Sequence, residues 1–180
     1  MLSSILSKSD CAECKFCCRF RRQSLWETPV FYEEDIEKIK NLFPEVKFRE
    51  INTADNSSTI TDEAKSKVYT FDIYDKYKTT DPDEEAPCPF LDTKHGCKLP
   101  AELKPFDCKI WPLRVVKLPE PAVVLTPTCP AINKVPFEKV QALAESGLGK
   151  TILEYASKHP QMIKPYSEFL SKIVYKSDNL

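Results

Sequence analysis

Eight cysteines carry most of the chemistry that this 180-residue chain offers. They fall into two groups, one near the N-terminus and one beginning near the middle of the chain. The candidate metal ligands are Cys11, Cys14, Cys17 and Cys18 in the first group, and Cys88, Cys97, Cys108 and Cys129 in the second. Thiolates are soft ligands, and a C-x2-C spacing lets one tight turn bring two sulfurs to the same metal. Two such dense groups therefore predict a metal site in preference to separately buried thiols.

The spacing C-x2-C-x2-C favours an iron–sulfur cluster over a single ion. In bacterial-type ferredoxins this run wraps around a cluster, and a further cysteine followed by proline completes the ligands. Cys88 precedes Pro89 and Cys129 precedes Pro130, although Arg21 stands where the next ferredoxin cysteine would fall. We therefore expect an iron–sulfur cluster, in the first place [4Fe–4S], with an electron-transfer or redox role. The alternative is a zinc-binding structural or interaction module.

The vicinal pair Cys17-Cys18 leaves the number of metal centres open. Neighbouring side chains in an extended segment point to opposite faces, so a single centre rarely takes both thiolates. One interpretation is two centres, one on each side of the segment. The other is one centre, with either Cys17 or Cys18 outside the ligand set.

The cysteine pattern resembles the YkgJ-type cysteine-cluster family, which is described as a zinc- or iron-chelating domain. The resemblance is carried by C-x2-C-x2-C-C at 11–18, CPFL at 88–91, Gly96-Cys97 and KPFDCKIWPL at 104–113, and it covers about residues 11–130. It implies a metal centre held by Cys11, Cys14, Cys17, Cys18, Cys88, Cys97 and Cys108, with Cys129 where a last ligand would lie. One branch of the family, the flagellin lysine methylases, is associated with an iron–sulfur cluster and methyl transfer. A cluster-dependent protein-lysine methyltransferase is therefore a further alternative.

Composition restricts the partners. Hydrophobic residues make up 42% of the chain, charged residues 29%, and the formal net charge is −1. We expect neither nucleic acid nor membrane as a partner, because no overall charge attracts them; an unidentified protein or redox partner remains. No apolar run approaches the roughly 20 residues of a membrane-spanning helix, and the first ten residues do not match a signal peptide. A cytoplasmic, reducing compartment is expected, where cysteines serve metal or redox chemistry.

The hydrophobic pattern predicts an α+β fold: one domain over 1–180, with a short antiparallel sheet, several helices and irregular cysteine-bearing loops. The metal-binding core is predicted at 11–130 and a helical C-terminal portion at 131–180. Predicted elements are a helix at 33–43, strands at 46–52 and 67–74, an exposed loop at 52–64, an acidic connector at 79–87, an edge hairpin of 113–118 with 122–126, and helices at 136–146, 150–159 and 165–176. Because a long segment separates the cysteine groups, metal ligation would close a long loop, and we expect the metal-free chain to be poorly folded.

Charged residues near the cysteines allow more than one role. Arg19, Arg21 and Arg22 follow the first group directly. Their guanidinium groups would offset the negative charge of a thiolate centre, bind an anion or acidic partner, or form a solvated face. His95 stands between Cys88 and Cys97, and we expect a turn residue there in preference to a ligand.

Two further signals receive structural interpretations. AESGLGKT at 144–151 has Ala144 where a phosphate-binding loop needs its first glycine, so a helix C-cap at Gly147 is expected. Phe90, Phe106 and Trp111 are predicted to form an apolar shell that keeps water from the thiolates.

Overall fold

The computed structural model describes residues 2, 5–6, 13–51, 67–166 and 171–176. The chain divides into two compact units. The cysteine-rich unit is Lys15–Lys109, and the hairpin unit consists of Met1–Cys14 and Ile110–Leu180. Helices and mostly antiparallel sheets occur together, which confirms the predicted α+β class. The prediction of one domain over 1–180 stays a prediction.

The cysteine-rich unit is built from short antiparallel strands. They are β1 (Arg19–Arg21), β2 (Phe31–Tyr32), β3 (Phe48–Glu50), β4 (Val68–Phe71), β5 (Glu85–Pro87), β6 (Leu91–Asp92) and β7 (Gly96–Cys97). Strands β2, β4 and β3 form one sheet in that order, whereas β1–β5 and β6–β7 form separate two-stranded sheets. Two of these small sheets, β1–β5 and β6–β7, end at or next to cysteines, so they decide where those thiols lie.

Helix α1 (Glu33–Leu42) confirms the helix predicted at 33–43. Its first turn is acidic, which suits the positive end of the helix dipole. Ile36 and Ile39 are buried on one face, and the amide of Phe43 closes the last turn just before Pro44. The helix therefore contributes one apolar face to the core of the cysteine-rich unit.

That core is dominated by aromatic rings. Phe90 is only 1% exposed, and its ring centroid lies 6.0 Å from that of Phe31 and 6.3 Å from that of Phe71. Tilted and edge-on contacts of this kind stabilise a core beyond the burial of their area. Cys88 packs against the same cluster. Cys88, one of the predicted ligands, therefore contacts the core directly.

The strands predicted at 46–52 and 67–74 are confirmed as the shorter β3 and β4, but the connector predicted at 79–87 is wrong at its end. Residues Glu85–Pro87 form β5, which pairs with β1. Ala86 is completely buried at the middle of this strand. One face of the segment therefore packs against the core, which the acidic composition of the segment does not indicate. The exposed loop predicted at 52–64 lies outside the described residues.

The hairpin unit contains β8 (Leu113–Lys117), β9 (Pro121–Leu125), β10 (Lys164–Pro165) and β11 (Lys172–Lys176). The predicted hairpin of β8 and β9 is confirmed, but its edge position is wrong, because the strand order is β10-β8-β9-β11. Consecutive residues of both strands are buried, including Val115 with Val116 and Val123 with Val124. A hairpin with apolar side chains on both faces belongs in the middle of a covered sheet.

The helices predicted at 136–146 and 150–159 correspond to α3 (Phe137–Leu143) and α4 (Gly149–Lys158). The chain turns between them at Gly147, whose φ of 122° is in the range that favours glycine. The segment 144–151 is helical on either side of Gly147, so it is not a phosphate-binding loop. Gly149 faces Tyr175: an added Cβ would lie 2.3 Å from that ring. α4 therefore approaches β11 closely.

The helix predicted at 165–176 is wrong where the structure describes it. Residues Lys172–Lys176 form β11, antiparallel to β9, and 167–170 lie outside the described residues. Ile173 and Val174 fit helical spacing, but β-branched residues next to an open strand edge favour pairing. The C-terminal portion is therefore only partly helical. No helix among the described residues is long and apolar enough to cross a membrane.

Candidate metal centre

Four of the predicted ligands come from separate segments of the cysteine-rich unit and interact electrostatically. They are Cys18, Cys88, Cys97 and Cys108. Burial raises the pKa of Cys88 far above its ordinary value, and the negative charges of Cys18 and Cys97 raise it further. The displacement of water by surrounding protein atoms raises the pKa of Cys108 most. The charge of Asp107 and the charges of the other three thiols raise it further. Charges act in this way over short distances, so Cys18 and Cys97 lie near Cys88, and all three lie near Cys108.

Strand pairing places Cys18 opposite Cys88. The register of β1 and β5 runs from Arg21↔Glu85 to Arg19↔Pro87. One step further, the amide of Cys88 donates a hydrogen bond to the carbonyl of Cys18 at 2.8 Å. This bond lies just beyond the ends of both strands, where Cys18 ends a 3-10 helix, and it joins the two cysteine groups.

A short hairpin positions Cys97. In the β6–β7 pair, Cys97 lies opposite Leu91, and the amide of Lys98 donates to the carbonyl of Phe90 at 2.8 Å. The turn of this hairpin is tied to the first cysteine group, because the ammonium group of Lys15 donates to the carbonyl of Thr93. Lys15 has a φ of 52°, which turns the chain just before the 3-10 helix Phe16–Cys18.

Helix α2 (Phe106–Ile110) carries Cys108. The carboxylate of Asp107 accepts a hydrogen bond from the amide of Val30 at 3.0 Å, which fixes this helix to the segment before β2. The Cys108 residue keeps solvent-accessible surface, yet crowding by protein atoms is the largest cause of its raised pKa.

Donors and cations near these sulfurs suit a thiolate centre. The backbone amide of Phe90 donates to the sulfur of Cys88, which lowers the pKa of that thiol against the effect of burial. A hydrogen bond from Cys17 lowers the pKa of Cys18, and the charge of Lys104 acts in the same direction against burial. Lys98 acts in the same way on Cys88. Hydrogen bonds to sulfur and nearby charge are the means by which proteins tune such centres.

Lys98, Lys104 and the Phe90 amide are the functional groups that sequence reasoning misses. Each lies within four residues of a cysteine in the second group. Lysines are common on surfaces, and nothing in their spacing separates these two from the others. The one usable signal is Cys88-Pro89-Phe90, because proline has no amide hydrogen and the next free amide is the one that donates.

Two of the arginines after the first group serve another purpose. Arg21 forms ion pairs with Asp83 at 3.5 Å and Glu85 at 3.7 Å, and Arg22 donates to the carbonyl of Thr79 at 2.6 Å. These contacts bind the acidic connector to β1. The cations that act on Cys18 and Cys88 are lysines of the second cysteine region, not these arginines.

The remaining predicted ligands are placed differently. Cys17 is exposed next to Cys18, while Cys14 and Cys129 belong to the hairpin unit, where Cys129 is buried. Cys11 lies outside the described residues. The metal-binding roles predicted for these four cysteines stay predictions.

The structure confirms His95 as a turn residue. The carboxylate of Asp92 accepts hydrogen bonds from the amides of Lys94 and His95, both at 2.7 Å. Among the predicted apolar shell, Phe90 lies in the core against which Cys88 packs. Trp111 belongs to the hairpin unit, where the guanidinium group of Arg114 stacks 4.7 Å from its ring.

Within the described parts of the chain, no three His, Cys, Asp or Glu side chains form a group arranged to hold a metal ion. The donor chemistry of the four thiols fits a soft metal or an iron–sulfur cluster, but their sulfurs are near one another without forming a closed ligand set. Comparison with protein-family models, curated proteins and solved structures finds no match for this chain. The resemblance to the YkgJ-type family therefore stays a prediction.

Proposed function

We propose that this chain binds an iron–sulfur cluster, [4Fe–4S], through Cys18, Cys88, Cys97 and Cys108, and that it serves in electron transfer or another redox role. The observation that carries the proposal is the convergence of four thiols from separate segments of one unit. Four thiolates are the ligand set of such clusters. The resemblance of the cysteine pattern to the YkgJ-type family supports a metal centre, and four of the ligands that it implies are these thiols; the C-x2-C-x2-C run of Cys11, Cys14 and Cys17 is not part of this set.

The surroundings of the thiols support a charged centre. A cubane cluster with four thiolates carries net negative charge of about −2 in its oxidised form. Lys98 and Lys104 would offset part of that charge, and the Phe90 amide would hold the Cys88 sulfur in its orientation. When bound, the cluster would accept and donate single electrons, while the aromatic core behind Cys88 limits the access of water from that side.

Closing the ligand set requires the sulfurs to approach one another. Cys18 ends a three-residue 3-10 helix, and Cys97 lies in a two-residue strand. Cys108 lies in a five-residue helix. Side-chain rotation and small shifts of such short elements would bring the thiols together without disturbing the core. Cys88, which packs against the core, would serve as the fixed ligand.

Anaerobic purification followed by metal and sulfide analysis tests the proposal. We expect iron and acid-labile sulfide at about four each per chain, with visible absorption and an EPR signal on reduction. A colourless protein with stoichiometric zinc would refute the cluster and favour the zinc-binding structural or interaction module. A chain with neither metal would refute both.

A further inference from the structure

Cys18 and Cys88 lie just beyond the paired ends of β1 and β5 and are joined by a backbone hydrogen bond. The paired residues are Arg19↔Pro87, Phe20↔Ala86 and Arg21↔Glu85, and the hydrogen bond from the Cys88 amide to the Cys18 carbonyl adds the next rung. Opposite residues in an antiparallel ladder have Cα atoms about 4.5–5.5 Å apart, and this one bond holds the two cysteines in a similar range, although the Cys18 amide itself donates to Lys15. Disulfides span Cα distances of roughly 4.4–6.8 Å.

Cys88 directly follows β5, and residues two apart along an extended segment point in the same direction. Ala86 is 0% exposed, and the Cys88 side chain packs on the same core. Cys18 ends the 3-10 helix that precedes β1, and its charge acts on the Cys88 thiol. A disulfide needs Cβ atoms about 3.5–4.5 Å apart, so the proposed bond requires the Cys18 side chain to turn toward Cys88.

Other pairings are less favourable. Consecutive Cα atoms are about 3.8 Å apart, below the usual disulfide range, so Cys17 and Cys18 are poor partners for each other. Cys97 and Cys108 lie on other elements and share no strand register with Cys18. Cys18 and Cys88 both keep partial solvent exposure, which allows a small oxidant to reach them.

We propose that Cys18 and Cys88 form a reversible cross-strand disulfide when the protein meets hydrogen peroxide. The two thiols lose one proton and one electron each, a sulfur–sulfur bond forms, the peroxide O–O bond breaks, and two water molecules are released. A dithiol reductant reverses the reaction. The inference rests on the backbone contact between Cys18 and Cys88 and does not require the proposed cluster.

If both proposals hold, oxidation removes two of the four cluster ligands. A disulfide sulfur is no longer a thiolate, so it does not bind iron in the same way. Peroxide would then prevent the cluster from binding until the disulfide is reduced.

The experiment is peroxide treatment of the full-length protein, alkylation of the remaining thiols, tryptic digestion and mass spectrometry without reductant. We expect the main cross-linked species to join peptide 16–19 to peptide 79–94, and to disappear after reduction. Peptide 16–19 contains both Cys17 and Cys18, so two variants separate them. The cross-link should persist in Cys17→Ser and be lost in Cys18→Ser.

The same oxidation in concentrated urea is the control, because the unfolded chain does not hold Cys18 next to Cys88. There, cysteines close in sequence should cross-link, and the 16–19 to 79–94 species should fall at least several-fold. A native sample that gives the same mixture as the urea sample overturns the proposal, as does a cross-link that survives in Cys18→Ser. A protein that lacks iron but forms the cross-link refutes only the cluster; one that binds iron but forms no cross-link after its iron has been removed refutes only the disulfide.

Discussion

The hydroxyl of Tyr77 donates a hydrogen bond to the backbone carbonyl of Phe20 at 2.9 Å, joining segments that are 57 residues apart in sequence. Both residues are buried in the core of the cysteine-rich unit. Burial raises the pKa of Tyr77, so its hydroxyl keeps the proton that it donates. This contact fixes β1 and, with it, the position of Cys18 two residues earlier.

Tyr77→Phe should therefore destabilise the protein. Removing a buried hydrogen bond costs about 1 kcal/mol, which lowers the melting temperature of a chain of this size by roughly 2–4 °C. Urea unfolding monitored by circular dichroism measures the change in free energy of unfolding. Tyr74→Phe is the matched control, because Tyr74 is 51% exposed and the Arg49 guanidinium contact to its ring does not need the hydroxyl. Equal effects of the two substitutions would contradict the role of the Tyr77–Phe20 bond.

Cys97→Ser should lower the iron content of anaerobically purified protein by at least about half, because a serine oxygen is a poor replacement for one of four thiolates. His95→Gln is the control at nearly the same position, since the structure places His95 in the turn held by Asp92. It should leave the iron content unchanged. An equal loss of iron in both variants would show that the hairpin matters for folding and that Cys97 is not a specific ligand.

The carboxylate of Glu84 should make the protein less stable in acid. It accepts hydrogen bonds from the amides of Lys78 at 2.6 Å and Thr79 at 2.7 Å and from the Thr79 hydroxyl, and the amide bond from Lys78 does most to lower its pKa. A carboxyl whose pKa is lower in the folded state stabilises the protein above its unfolded pKa. That contribution disappears as the pH falls through the folded value.

Glu84→Gln should accordingly remove part of the loss of stability between neutral pH and about pH 3. Glu102→Gln removes the same charge from a 3-10 helix and should leave the acid profile like that of the unsubstituted protein. Denaturant midpoints measured across this pH range provide the comparison. Parallel curves for Glu84→Gln and the unsubstituted protein would rule out a contribution from this carboxylate.

Local patterns predict those elements whose burial follows a simple period. Ile36 and Ile39 recur at helical spacing, and acidic residues before them favour a helix start, so the sequence alone predicts α1 correctly. Residues Lys172–Lys176 satisfy helical spacing as well, but the free edge of β9 decides their state, and that edge is not visible from local sequence. The pairing of β1 with β5 is hidden for the same reason, because it joins residues far apart along the chain.

The sequence likewise predicts one part of the candidate site and does not reveal the other. The cysteines are visible as a pattern, and the turn at His95 follows from the glycine after it. The opposition of Cys18 to Cys88 depends on a strand register, which no spacing within either cysteine group reveals. Lys98 and Lys104 become relevant only once the thiols beside them are known.

Removing the proposed cluster should lower thermal stability strongly. A centre that includes Cys18 and Cys88 joins the two ends of 19–87, so it binds the folded chain and not the unfolded one, and its binding free energy adds to the stability of the fold. We expect the melting temperature to fall by about 10 °C or more. Calorimetry or circular dichroism before and after treatment with an iron chelator and reductant measures this shift.

Cys108→Ser provides the control for that measurement. The variant lacks one proposed ligand but keeps the Asp107 carboxylate that binds the Val30 amide, so helix α2 should stay in place. Its melting temperature should already be low, and the chelator should change it little. An unchanged melt of the unsubstituted protein after complete metal removal would mean that the centre does not stabilise the fold.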